Sequence, residues 1–279
     1  MNGEGNLALF CDFENIALGV RDAKYDKFDI QPVLERLLLK GSIVTKKSYC
    51  DWDRYKEFKK AMHEAAFELI EIPHVRISGK NSADIRLVVD ALDLCYTKEH
   101  IDTFVIISGD SDFSPLVSKL RENAKTVIGV GVKNSTSDLL IANCDEFIFY
   151  DDLVGAKNSQ KKGKMKASAD KQDVGKKKVR PKKPESKKKD PVQEAIDLVV
   201  DTTEALYTER GDRDKLWGSM IKQTLKRRRP GFNEAFYGFD SFSDLLEEAA
   251  SRGAVELERD ERSGGYIVKS TTRTRKRKS

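Results

Sequence analysis

Along residues 1–153 the apolar positions switch repeatedly between two spacings. Short runs rich in β-branched and aromatic residues read as strands: Leu7–Asp12, Ile43–Cys50, Leu69–Val75, Thr103–Ser108, Thr126–Val132 and Glu146–Tyr150. Between them apolar residues recur at helical spacing, as in Val33-Leu34-Leu37-Leu38, Phe58-Met62-Ala65-Ala66, Ile85-Val88-Val89-Leu92 and Leu116-Leu120. Strand and helix in alternation predict an α/β unit whose mainly parallel sheet is covered on both faces. The unbroken run Phe104-Val105-Ile106-Ile107 fits a strand buried on both sides. Gly41, Gly79, Gly109 and Gly131 fall at the turns between elements.

Residues 154–190 carry no apolar periodicity and consist largely of Lys, Ser, Gly and Pro. Nothing there can offset the entropy of ordering, so the segment predicts a disordered linker. A second pattern starts at Asp190-Pro191, an N-cap followed by proline in the first helical position. Val192, Ala195, Ile196, Val199 and Val200 form its apolar stripe. Further helices are expected around Lys215–Arg227 and Ser241–Arg252, the latter opened by Ser241-Phe242-Ser243-Asp244, which has capping potential. Two short strands, Val255–Glu258 and Gly265–Lys269, complete a small winged-helix layout over 191–270, followed by a basic tail, 271–279.

Charge sharpens this division. The 279-residue chain has a net charge of only +5. By segment, residues 1–155 carry −7, residues 156–189 carry +12, and residues 190–272 carry −5. Basic arms beside acidic folded units are expected to bind polyanions through counterion release, or else to serve only as soluble linkers. No apolar run reaches the roughly 18 residues of a membrane span. The opening Met-Asn-Gly-Glu-Gly-Asn has no basic segment of the kind that precedes a secretory leader. The scattered Cys11, Cys50, Cys95 and Cys144 predict buried free thiols and a cytoplasmic protein, and His63, His74 and His100 have no zinc-ligand spacing with them.

The candidate chemistry sits where strands end in acid. Leu7–Asp12 ends at Asp12, with Asn15 three residues on; Thr103–Ser108 leads into Gly109-Asp110-Ser111-Asp112. Open α/β sheets build their sites at the carboxyl ends of strands. Asp84 stands at the start of the helix that carries Ile85, and Asp90 lies inside that helix among apolar neighbours, supporting the site's carboxylates from behind or serving as a structural partner. Taken singly, Asp12, Asp84 and one of Asp110 and Asp112 are explained by helix capping. Taken together they would repel one another unless a cation neutralises them, and all-oxygen donors suit Mg²⁺ or Mn²⁺. Lys133-Asn134-Ser135-Thr136 forms a polar loop before a helix, where Lys133 and Ser135 can meet a phosphate or Ser135 and Thr136 can simply cap. Trp52, Arg54 and Tyr55 can stack a base and hold a phosphate, or pack at a helix start. Ser78-Gly79-Lys80-Asn81-Ser82 lacks the spacing of a nucleoside-triphosphate loop, and Glu14 stands where a dehalogenase-type phosphatase needs its second aspartate.

Three segments together carry a family resemblance: Phe10-Cys11-Asp12-Phe13-Glu14-Asn15, Asn81 through Leu92 with Asp84 and Asp90, and Ile107-Ser108-Gly109-Asp110-Ser111-Asp112-Phe113. They resemble the NYN family of the PIN-like nuclease superfamily, which includes the LabA-like proteins. The resemblance implies a three-layer α/β/α sandwich over 1–153 and a divalent-metal ribonuclease site. It maps catalytic roles onto Asp12, Asn15, Asp84, Asp110 and Asp112, with Asp12, Asp84, Asp110 and Asp112 as metal ligands. Asn15 would orient a water or phosphate oxygen, and Ser108 would add hydrogen bonds. Some family members serve as RNA-binding modules without cleavage, so a scaffold role stays open beside the enzyme.

The second unit also carries a resemblance. Gly218 to Lys222, Pro230-Gly231-Phe232, and Gly238-Phe239-Asp240-Ser241-Phe242-Ser243-Asp244-Leu245-Leu246 are similar to the OST-HTH/LOTUS domain, which implies a winged helix that binds RNA or a protein partner. Lys222, Lys226, Arg227, Arg228 and Arg229 are the phosphate-contact candidates; a basic run is also favourable at any helix C-terminus. Trp217, Phe232, Phe236 and Phe242 are expected in the core. The implied partner is single-stranded RNA.

Overall fold

A computed structural model describes residues 5–72, 82–154, 190–210, 215–260 and 264–272. The expectations for Leu69–Val75 beyond residue 72, for the loop ending at Asn81, for most of the 154–190 linker and for the tail after residue 272 lie outside the described residues. The chain divides into two compact units, Met1–Lys162 and Gly163–Ser279.

In the first unit, six strands form one sheet in the order β3-β2-β1-β4-β5-β6, every neighbouring pair parallel. They are β1 (Gly5–Asp12), β2 (Gly41–Cys50), β3 (Glu68–Glu71), β4 (Thr103–Ile107), β5 (Thr126–Gly131) and β6 (Glu146–Phe149). The connecting helices are α1 (Phe13–Asp22), α2 (Gln31–Leu38), α3 (Lys56–Glu64), α4 (Ser82–Thr97), α5 (Ser114–Glu122) and α6 (Asp138–Asn143).

Side-chain alternation along each strand sends residues to two separate cores. On β1, Leu7, Leu9 and Cys11 join the core beneath α1, α2 and α3, which supply Ile16, Val33, Leu37 and Met62. Ala8 and Phe10 join the opposite core beneath α4, α5 and α6, which supply Leu87, Ala91, Leu116, Leu120 and Leu140. The expected three-layer arrangement with its parallel sheet is therefore present. The strand order explains where a site can form. From β1 the chain winds outward to β2 and β3, then α4 carries it back across the sheet to β4 and onward to β6. At the β1–β4 boundary the helices that follow the two strands diverge to opposite faces, which opens a crevice at their carboxyl ends.

The second unit has its own core, formed by Ala195, Ile196, Val199, Ile221, Leu225, Phe232, Leu245, Leu246 and Val268 among others. Its helices are α7 (Pro191–Arg210), α8 (Gly218–Arg228) and α9 (Phe242–Ser251). A three-stranded antiparallel sheet, in the order β7-β9-β8, combines β7 (Leu216–Trp217), β8 (Val255–Arg259) and β9 (Tyr266–Thr271). Asp190 accepts from the Val192 N–H at 3.2 Å, as its N-cap position predicts. Ser241 and Asp244 form a reciprocal capping box at the start of α9. The strand β7 departs from expectation: Leu216 and Trp217 pair with β9 instead of starting the helix. Phe236 also departs, since it is 50% exposed and edge-packs on Tyr237 instead of entering the core.

Gly129 on β5 exposes how tightly the first unit packs. A Cβ there would lie 2.3 Å from the Phe147 ring. Gly129→Ala is expected to lower stability by about 1–3 kcal/mol in urea unfolding, and Phe147→Leu in the same chain should recover part of the loss. Additive losses in the double variant would show that the ring is not what the methyl group meets.

Candidate functional site

Three adjacent strands of the sheet end beside an aspartate: β2 before Asp51, β1 at Asp12, and β4 three residues before Asp110. Asp12, Glu14, Asn15, Asp51, Asp84 and Asp110 line one cleft of about 400 Å³, with Leu18, Cys50, Ile72 and Ala83 as its apolar wall. Asp12 is the N-cap of α1, and its Oδ1 accepts from the Asn15 N–H at 3.3 Å. Capping is thus part of its role, but its other oxygen, Oδ2, accepts from Ser108 Oγ at 3.0 Å across the β1–β4 boundary. Ser108 is itself fully buried and accepts from the Asp110 N–H at 3.2 Å. Asp110 caps the short 3-10 turn Ser111–Phe113 by accepting from the Asp112 N–H at 3.0 Å.

Asn15 does something the sequence reading did not assign to it. Its Oδ1 accepts from the Gly109 N–H at 2.8 Å. The amide oxygen therefore braces the β4 turn instead of facing outward. Gly109 has to be glycine for a steric reason: a Cβ would lie 2.6 Å from the Ser135 carbonyl oxygen. The turn that presents Asp110 is pressed against the loop after β5, and the Ser137 N–H donates to the Gly109 carbonyl at 2.9 Å.

The electrostatics follow from burial and crowding. Burial pushes the Asp12 carboxyl up to about 7, and the charges of Asp84 and Asp110 push in the same direction against the hydrogen bonds from Ser108 and Asn15. Asp84, in the first turn of α4, is raised by partial burial and then by Asp110, Asp112 and Glu14. Asp112 is exposed and stands outside the cleft lining, yet is close enough to act on Asp84. The donor set is entirely hard oxygen and carries negative charge that Arg54, through Glu14, offsets only in part, which fits Mg²⁺ or Mn²⁺ in kind. As the side chains stand, no three carboxylate, imidazole or thiol groups among the described residues converge closely enough to hold an ion.

The other sequence candidates separate. Asp90 is a structural partner: it accepts from Tyr49 Oη at 2.9 Å and Arg86 Nε at 3.1 Å, and pairs with Lys47 at 3.7 Å. Trp52 is 1% exposed and packs on Phe13 at 4.9 Å, so it offers no face for a base. Tyr55 packs edge-on against the same ring. Arg54 pairs with the cleft residue Glu14 at 3.3 Å. The Ser135 and Thr136 hydroxyls donate back to the Val132 carbonyl, and Ser137, not either of them, caps α6. The Lys133 N–H donates to Asp151, and its ammonium sits 5.6 Å from the Phe149 ring centre. In the second unit, Lys222 pairs with Glu234 at 2.5 Å and lies over the Phe242 ring. Burial raises the Glu234 carboxyl, but its hydrogen bond and ion pair with Lys222 outweigh this and hold it below the usual range. Arg227, Arg228 and Arg229 are exposed at the end of α8, while Lys226 is half-buried.

Glu14 and Asp51 were missed from sequence. Asp51 carried the same signal as Asp12, a strand followed at once by an acid, but nothing in the chain indicated that β2 lies next to β1.

A family model described as the NYN domain matches residues 6–151. An uncharacterized protein of Methanocaldococcus jannaschii is 28% identical over 138 residues, covering 50% of this chain and 52% of the relative. The chain therefore spans about half the length of the curated relative it matches. Among solved structures, the crystal structure of a protein of unknown function from Vibrio parahaemolyticus has a TM-score of 0.49 and 25% identity, over 55% of this chain and 97% of that one.

The raised Asp12 value makes a prediction about stability. A folded carboxyl that holds its proton more tightly than in the unfolded chain stabilises fully below its ordinary value. That contribution is lost as pH climbs through about 7, a loss on the order of a few kcal/mol. Asn at position 12 can still cap α1 and carries no charge. In EDTA, Asp12→Asn should melt several degrees higher than wild type at pH 8, with the gap closing at pH 5. A lower melting temperature at both values would mean that the carboxylate is needed for the fold.

Proposed function

The chain belongs to the NYN domain family, whose fold is nuclease-like, and from that premise we propose that it hydrolyses phosphodiester bonds in single-stranded RNA with the help of Mg²⁺ or Mn²⁺. One observation carries the reading: Asp12, Asp84 and Asp110 face a single cleft, where burial first and then the charge of neighbouring carboxylates raise Asp12 and Asp84. Asp12, Asp84 and Asp110 would hold the ion, with Asp112 completing the ligand set that the family resemblance implies. The chemistry supplied by such an ion is Lewis acidity, toward a water nucleophile and toward the phosphoryl oxygens. Ser108 and Asn15 act as positioning residues, since they fix Asp12 and the Gly109-Asp110 turn. Leu18, Ile72 and Ala83 provide an apolar wall for a base or ribose. Arg54 and Lys133 are peripheral phosphate candidates, and Ser135 is a weaker one because its hydroxyl is turned back to Val132.

The second unit would hold RNA. Three helices and a terminal hairpin support the winged-helix, LOTUS-like reading. Arg227, Arg228 and Arg229 are its foremost phosphate contacts, with Lys226 beside them; Lys222 is less suited because Glu234 already occupies it. A protein partner for this unit is the competing possibility. The four buried free thiols fit a reducing, cytoplasmic setting.

A second reading is non-catalytic RNA binding, in which the acidic fold serves as a scaffold. Turnover separates the two. Labelled single-stranded RNA should be cut with Mn²⁺ or Mg²⁺ and remain intact in EDTA, and Asp12→Asn and Asp110→Asn should abolish cutting while both remain folded. RNA that binds but stays whole under all conditions would select the scaffold reading. Replacing Arg227, Arg228 and Arg229 together by Ala should weaken RNA binding and flatten its log–log salt slope, by about 0.7 per lost contact to a single strand. An unchanged slope would assign that cluster to helix termination alone.

A further inference from the structure

Helix α4 carries a second apolar stripe besides the one in the core. Leu87, Ala91 and Cys95 are buried beneath it. Ile85, Val89 and Tyr96 are 62%, 55% and 62% exposed, and Leu92 between them is partly buried. At 3.6 residues per turn these four fall within an arc of about 60°, centred roughly 130° around the helix from the buried residues. Leu92 and Val88 still touch the core, so the stripe adjoins the core face, but Ile85, Val89 and Tyr96 reach beyond it into solvent. Its spacing, four, three and four residues, is that of a helix–helix seam.

The charges beside the stripe say what fits it. Arg86 and Asp93 flank it on one side, seven residues apart, and both are exposed. If a second α4 lies antiparallel across a two-fold axis, Ile85 meets Tyr96 of the other copy and Val89 meets its Leu92. The same register brings Arg86 beside Asp93 of the other copy, twice per pair, as isologous contact requires. A parallel arrangement would set Arg86 and Asp93 against positions 88 and 95, which are uncharged and turned toward the core. Arg86 now pairs with Asp90 at 3.1 Å, but Asp90 also has Tyr49 and Lys47, so Arg86 can be shared. We infer that α4 is a self-association surface: two copies of this chain pair through antiparallel α4 helices, with Ile85, Val89, Leu92 and Tyr96 as the seam.

Sedimentation of the full-length chain over a wide concentration range tests this. Wild type should dimerise reversibly. Val89→Lys should raise the dissociation constant by about a hundredfold, because it places two like charges at the seam centre. Leu139→Lys, which alters an exposed apolar residue on α6, should leave it unchanged. Asp93→Arg should weaken pairing by about tenfold, and adding Arg86→Glu should restore it, which only the antiparallel register explains. Circular dichroism would confirm that each variant is folded. A chain that stays monomeric throughout overturns the inference, as does a dimer indifferent to Val89→Lys.

Discussion

Two hydrogen bonds across the β1–β4 boundary underlie the first unit's site. Ser108 donates to Asp12, and the Gly109 N–H donates to Asn15. Each joins the end of β1 or the start of α1 to the residues just after β4, about 95 positions away. The parallel ladder aligns β1 and β4, but it ends at Cys11 and Ile107. Beyond that point these side-chain bonds tie the two turns to each other, while Ser137 and the loop after β5 press on the Gly109 turn from the other side. They determine where Asp110 points, how Asp12 is oriented, and why residue 109 has no room for a side chain.

The same arrangement brings negative charge together in a partly buried place, which costs free energy in the absence of a cation. Asp12 bears most of that strain, because it is buried and has Asp84 and Asp110 as neighbours. A protein built only for stability would not keep an acid there when an amide could cap α1 equally well. Such a conflict between local stability and residue choice is what a functional site produces. Glu14 and Asp51 add to the charge, while Arg54 offsets part of it at the rim through Glu14.

The second unit is organised differently. Its charged groups are largely satisfied at the surface, as with Lys222–Glu234, Arg252–Glu248 and Lys269–Glu258. What stands apart is the succession Arg227, Arg228, Arg229 at the end of α8, where the helix dipole already favours cations. The exposed Phe236 packs on Tyr237, which stacks on Phe232. The two units thus present opposite electrostatic problems, crowded carboxylates in one and adjacent guanidinium groups in the other.

Much of the fold was legible because strand and helix periodicities are local. The runs ending at Asp12 and Ile107, the stripe through Leu87 and Ala91, and the caps at Asp190 and Ser241 all depend on residues a few positions apart. Asp12, Asp84 and Asp110 could be named as one set because each lies at the end of a strand or the start of a helix. Strand order was not legible, and it decided that Asp51 also reaches the cleft. Side-chain direction was not legible either. It turned Asn15 inward to Gly109, tied Asp90 to Tyr49, and buried Trp52 against Phe13. It also gave Lys222 to Glu234, and the α6 cap to Ser137 instead of Ser135. The sequence by itself determined which residues are apolar, which are charged, and roughly where most elements lie, since those follow from neighbours along the chain; β7 escaped it because Leu216 and Trp217 pair with a strand some fifty residues away. Only the tertiary structure decided which distant groups meet, because hydrogen-bond partners and Coulomb neighbours are chosen by distance in space.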